Sequence, residues 1–263
     1  MTTPLVIGPM QLGLTLIFVL IAGTLSVVFK LGLTKNLFIG TIRTFSQLFL
    51  MGYALQYIFT INVNLLVLGV FTFMVAAAAH IIKGRVPEKD IAFGIPVFGA
   101  MISSYLLVSI MVTHVIIGTE PWWEPQYFIP IGGMIAGNSM NALSISLERL
   151  FSGLRSKRQE IEMKLCMGAS SAEASRDIVR DAIKAGMIPS INSMMGVGLV
   201  HIPGMMTGQI LAGADPAIAC RYQIVVMLML VASTAIASLI VVSLVRKLCF
   251  GNAHQLLLKI END

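Results

Sequence analysis

The stretch GPMQLGLTLIFVLIAGTLSVVF, residues 8–29, carries no charged side chain. Crossing a bilayer core takes about 20 apolar residues at about 1.5 Å of rise each. Comparable runs recur at 36–59, 65–82, 91–117, 128–147, 185–214 and 222–245, the first of these interrupted by Arg43. In lipid every backbone polar group needs an internal partner, which leaves helices or closed barrels. Barrel strands alternate in polarity, whereas these runs are continuously apolar. The expected fold is therefore all-α: a polytopic helical membrane protein of about seven transmembrane helices, with 1–263 as a single domain. The first run has no basic region and no small-residue cleavage site, so it reads as a retained span and not a signal peptide.

Composition agrees. Charged residues make up 12% of the chain and hydrophobic ones 56%, against about 25% charged in soluble domains, and the mean hydropathy is +0.85. Cys166, Cys220 and Cys249 are scattered and odd in number, which suggests neither a disulfide framework nor a zinc site. The net charge of +5 matters less than where the charge sits. All Lys and Arg except Arg43 and Arg221 lie in 30–35, 83–90, 149–184 and the tail after 245, while 60–64 and 118–127 have none. The positive-inside rule then places the N-terminus outside and the C-terminus in the cytoplasm, and an odd number of crossings follows. Trp122, Trp123 and Tyr127 fall at the outer interface, where aromatic side chains anchor helix ends.

The segment 149–184 contrasts with the spans. It is charged, yet Ile161, Leu165, Ala169 and Ala172 recur at helical spacing and predict one apolar face. Gly168-Ala169-Ser170-Ser171 interrupts that pattern. Ser170 or Ser171 can cap a new helix, with Glu173 and Asp177 in its first turns. Two short helices meeting at a Gly-Ala-Ser-Ser turn are expected below the membrane, as a docking element for a soluble partner. The run 185–214 is too long for one span and too short for two. It contains Pro189, Pro203 and several glycines, so a break is expected at His201-Ile202-Pro203-Gly204, followed by a short helix.

Glu162, Gly168 and Ile178 resemble the Glu–Gly–Ile skeleton of the coupling loop of ABC transporter permeases. The blocks RTFSQLFLMGYALQYIF, IPIGGMIAGNSM, LCMGASSAEA and GLVHIPGMMTGQILAGADPAIACRYQI follow one another along the chain. They resemble the FetB-type iron-export permease family, which includes plant aluminium-tolerance permeases. The resemblance implies a permease subunit, itself a homodimer, in the cell (inner) membrane. A separate cytosolic ABC ATPase subunit would bind ATP and Mg, with no cofactor in this chain. It assigns ATPase coupling to Glu162, Leu165, Gly168, Ala169, Ser170 and Ile178. The sequence also lacks the Gly-rich loop ending in Gly-Lys-Ser/Thr that cradles nucleotide phosphates. The family often carries an Asp and, three residues on, a Lys, where this chain has Asn192 and Met195. His201 stands where a small polar residue is expected.

The residues themselves suggest candidates for a pathway. Arg43 is a charge inside a span, where such groups usually face the bundle interior or snorkel to the surface, and Gln47 shares its helix face. Gly132, Gly133 and Gly137 permit close helix approach. Asn138 needs a partner on another helix or a substrate. Met134, Met205 and Met206 belong to a methionine group near the glycine-rich helices; thioethers suit soft ions, although flexible packing of moving helices is the favoured reading. With Asn192 and His201 these complete the candidate set, and no histidine spacing marks a metal site. The function expected is ATP-driven export of an iron-like metal ion or metal-linked solute. An ion-coupled secondary transporter or channel and a membrane anchor recruiting a cytosolic regulator are the alternatives. The first of these is disfavoured because no acidic residue lies inside a span.

Overall fold

The computed structural model describes residues 8–88, 90–251 and 253–259. The chain divides into two compact units, 1–63 with 211–213, and 64–210 with 214–263. In the first, α1 (Pro9–Leu14) and α2 (Leu16–Val28) follow one another across Thr15, and α3 (Thr34–Ile61) folds back on α2. The reversal is set locally. The Leu33 amide donates to the buried Ser26 hydroxyl at 3.0 Å, and Lys30 and Gly32 take positive φ.

The second unit holds α4 (Asn64–Arg85), α5 (Gly94–Ile110) continued by a wider π turn at Met111–Ile117, and α6 (Pro125–Ser156). Next come α7 (Arg158–Cys166), α8 (Ser171–Ala174), α9 (Arg176–Gly196), α10 (Gly204–Leu211) and α11 (Pro216–Leu248). No regular strand forms among the described residues; only the isolated bridges Val197–His201 and Phe250–Leu256 do. Helices Pro9–Val28, Asn64–Arg85, Gly94–Ile117 and Pro216–Leu248 are long and apolar enough to cross a membrane by length and composition. The other three expected spans fall on α3, α6 and α9, which are of 28, 32 and 21 residues and more polar. The chain is a helical membrane protein.

Helix α6 is the centre of its unit and packs against α4, α9 and α11. Leu143, Leu147, Leu150 and Leu154, at helical spacing, are wholly buried. Small residues let the helices approach, as lipid-embedded packing requires. A Cβ on Gly132 would lie 2.7 Å from the Phe71 ring, and one on Gly133 2.8 Å from the Met74 methyl, both on α4. A Cβ on Gly186 of α9 would overlap the Ser146 hydroxyl and lie 2.6 Å from the Ala142 carbonyl oxygen on α6. Gly137 faces open space, so of the three glycines only Gly132 and Gly133 permit a close approach here.

The charged segment is not a free-standing pair of short helices. Its first part is the end of α6, which runs on to Ser156, and its last part is the start of α9, which continues without interruption to Gly196. Only α7, the turn and α8 lie between. The expected break after α9 begins at Val197, upstream of His201. Gly198 takes φ +82° there, and its amide donates to the His201 carbonyl at 3.0 Å.

Candidate functional site

At one end of the second unit, α7 and α8 meet at the expected turn. Gly168 adopts φ +92°, a left-handed conformation that glycine enters without penalty. The Gly168 and Ala169 amides close α7 by donating to the carbonyls of Leu165 and Lys164 at 3.0 and 3.1 Å. Ser170 then opens α8 with a reciprocal capping box. Its hydroxyl accepts from the Glu173 amide at 3.3 Å, and its own amide donates to Glu173 Oε2 at 2.8 Å. The Ser170 hydroxyl and amide hold the Glu173 carboxyl below its ordinary range. On α7 the Lys164 ammonium donates to Glu160 at 2.7 Å, which lowers the Glu160 pKa and raises that of Lys164.

The exposed surface of this turn comprises Glu162, Cys166, Met167 and Gly168, with Met167 72% exposed. Leu165, Ala169 and Ser170 are half-buried. Ala172 is exposed, so the apolar face does not follow the predicted Ile161–Leu165–Ala169–Ala172 stripe. Crossing the turn resets the helical phase, and the buried residues are Ile161, Ala174, Ile178 and Ala182. Ile178 lies inside the chain, where a Cβ on Gly153 would come within 2.7 Å of its Cγ2. Its contact is with α6, and it is buried there. Glu162 accepts from Arg158 Nε at 2.7 Å.

The C-terminal tail straps this end. The Leu257 amide donates to the Cys249 carbonyl at 2.8 Å, while Leu256 and Leu258 are buried. Arg158 Nη1 donates to the Leu258 carbonyl at 2.7 Å, and His254 Nδ1 lies 3.3 Å from the Ser171 hydroxyl. The Lys259 amide donates to Asp90 at 3.1 Å, and Arg155 pairs with the buried Glu88 carboxylate at 2.8 Å. Burial pushes the Cys249 thiol up to about 12, with the Glu88 charge adding to the effect, so this cysteine is a packing group.

Within the bundle, Asn138 donates to Ser190 Oγ at 3.0 Å and to Thr234 Oγ1 at 3.1 Å, tying α6, α9 and α11 together. Its partners are thus other helices. Asn141, one turn on, accepts from Arg85 at 2.6 Å. Met134 is half-buried on α6, and Asn192 is exposed near the end of α9. In the first unit Arg43 and Gln47 are both exposed on α3, and no hydrogen bond joins them among the described residues.

At the end of the unit remote from α7, a cavity of about 440 Å³ opens between α9, α10 and α11. Its walls include Met194, Met206, Cys220, Gln223 and Met227. Of the candidates from sequence, Met206 belongs to it; Met205 is half-buried beside it in sequence, and His201 is exposed in the turn above α10. Cys220, Gln223 and Met227 were missed, although their i, i+3, i+7 spacing places them on one helix face. Among the described residues no cluster of three His, Cys, Asp or Glu side chains forms.

The sequence of this chain is 39% identical over 233 residues to the UPF0014 membrane protein slr1647 of Synechocystis, covering 86% of this chain and 88% of that one. It is 36% identical over 250 residues to the "Probable iron export permease protein FetB" of Escherichia coli, covering 94% and 93%. It is 31% identical over 253 residues to "Protein ALUMINUM SENSITIVE 3" of Arabidopsis thaliana, covering 95% and 90%. No solved structure matches it. The model of the family described as "Uncharacterised protein family (UPF0014)" spans residues 9–250. Matched over nearly its whole length, the chain belongs to the UPF0014 family of membrane proteins.

Proposed function

We propose that this chain is the permease subunit of an ABC transporter, exporting an iron-like metal ion or metal-linked solute by ATP hydrolysis in a separate subunit. The observation that carries the reading is the 36% identity over 250 residues to a relative named as an iron export permease. The shape of the α7–α8 turn supports the mechanism. It exposes Glu162, Met167 and Gly168 at the tip of two helices that the tail holds through Arg158 and Ser171. Such an element transmits displacement because it is rigid: Gly153 against Ile178 fixes α9, and α9 passes directly into the bundle. A groove on an ATPase that moved this tip would therefore tilt α6 and α9 rather than merely bend a loop.

In this reading the turn is cytosolic, the N-terminus is outside, and two copies of the chain pair with two ATPase subunits in the inner membrane. A tagged chain purified from its native membrane should bring down one ATPase subunit in stoichiometric amount. An Ala172→Cys variant should cross-link to it through the exposed face of α8. Recovery of the chain without an ATPase, under conditions where its ion transport is intact, would sink the reading.

A further inference from the structure

We propose that the cavity between α9, α10 and α11 is a binding site for a soft monovalent metal ion, Cu(I) or its redox-inert analogue Ag(I). Its ligands are Cys220, Met206 and a thioether from Met194 or Met227. These four sulfur side chains come from three helices and line one cavity. The cavity walls carry no carboxylate and no imidazole, so the donors available are sulfurs and one amide. Thiolate and thioether ligands select Cu(I) over hard cations.

The geometry fits an ion between the two sulfurs nearest each other. Cys220 Sγ and Met206 Sδ lie 4.0 Å apart. With metal–sulfur bonds of about 2.3 Å, a trigonal angle of about 120° places two ligand sulfurs about 4.0 Å apart. A second, independent feature points into the same cavity. Gln223, 5% exposed, lines it, and among the described residues its side-chain oxygen has no hydrogen-bond partner. A buried acceptor left without a partner is costly. Gln223 lies one turn from Cys220 on the same face of α11 and lines the cavity with it, and an amide oxygen from this residue would serve as a weak fourth donor or accept from a water on the ion.

Binding needs no redox step. The Cys220 thiol loses its proton to solvent as the sulfur–metal bond forms, and Cys220 is exposed, so the proton has an exit. Met206 and the second thioether donate lone pairs without proton loss. Cys166, exposed at the far end of the unit on α7, lies outside this cavity and serves as the control. The proposal concerns binding by this chain and holds whatever ion the transporter moves.

The test uses the purified full chain in detergent. Ag(I) is counted after gel filtration, and Cu(I) is titrated anaerobically against a chromophoric chelator. A single ion per chain is expected. Cys220→Ser and Met206→Leu should each weaken binding by at least about tenfold, and Cys166→Ser should leave it unchanged. Ag(I) should also protect Cys220 from alkylation by a maleimide. Met206→Leu should abolish that protection while leaving the ion-free alkylation rate as in the wild type, which separates ligand loss from misfolding. Failure of the wild type to retain the ion, wild-type affinity in Met206→Leu, or an equal loss in Cys166→Ser would overturn the site.

Discussion

Replacing Gly186 by Val tests the contact that holds α9 against the central helix. The first carbon added there overlaps the Ser146 hydroxyl and lies 2.6 Å from the Ala142 carbonyl oxygen. Unstrained contact begins near 3.4 Å, so α9 must withdraw from α6 by roughly 0.8 Å along their contact. The hydroxyl can rotate away, but the carbonyl belongs to the backbone and cannot. Forced overpacking of this kind costs about 1–3 kcal/mol. The branched side chain and the backbone obstacle place Gly186→Val at about 2–3 kcal/mol. Chains of this size lose roughly 2–4 °C of Tm per kcal/mol, which gives a drop of about 4–12 °C in a detergent thermal-shift assay. Adding Ser146→Gly removes one obstacle and leaves the carbonyl, so it should restore only part of the loss. Gly69→Val is the control, because a Cβ there meets nothing within 4 Å. A Gly186→Val melt within about 1 °C of wild type, or full rescue by Ser146→Gly, would refute the packing argument.

Asn138→Leu removes the donor to Ser190 and Thr234; at about 0.6 kcal/mol for each interhelical bond in a membrane, it should lower Tm by roughly 2–5 °C. Transport lost with no change in Tm would mark Asn138 as a pathway residue instead. The Glu173 carboxyl is held low by Ser170, so its contribution to the cap is present above the unfolded carboxylate pKa and is lost as pH falls through the folded one. Amide exchange in α8, corrected for intrinsic rate, should therefore rise on acidification in the wild type, and Ser170→Ala should remove that pH dependence. With Cys166, Cys220 and Cys249 replaced, Asn62→Cys and Trp122→Cys should react with an impermeant thiol reagent added outside cells, and Ser171→Cys should not. External labelling of Ser171→Cys would reverse the orientation drawn from the basic loops.

The sequence exposes the membrane helices because apolar run length is a local property, and it exposes the α7–α8 turn because Gly168 and the Ser170–Glu173 pair act within one turn of helix. What it hides depends on partners distant along the chain. Gly186 reads as a helix-weakening residue until Ser146 and Ala142 are seen across from it. Ile178 fits a family skeleton, yet its neighbour is Gly153 of the same chain. The predicted apolar stripe fails at Ala172 because periodicity cannot be carried across a positive-φ residue, where the helix axis changes direction. The cavity sulfurs lie on three helices, so the sequence singles out Met206 but does not show that Cys220, Met194 and Met227 share its cavity.

The most direct test of the transport reading is uptake of radiolabelled ferrous iron into inverted membrane vesicles containing this chain and its ATPase. Uptake should require hydrolysable ATP. It should be lost in the double variant Gly168→Val with Ala169→Trp, whose bulk disturbs the positive-φ turn and blocks entry into a partner's groove, while the chain remains inserted in the membrane. Iron accumulation that proceeds without ATP, or that is unchanged in the double variant with the ATPase still bound, would contradict coupling through this turn.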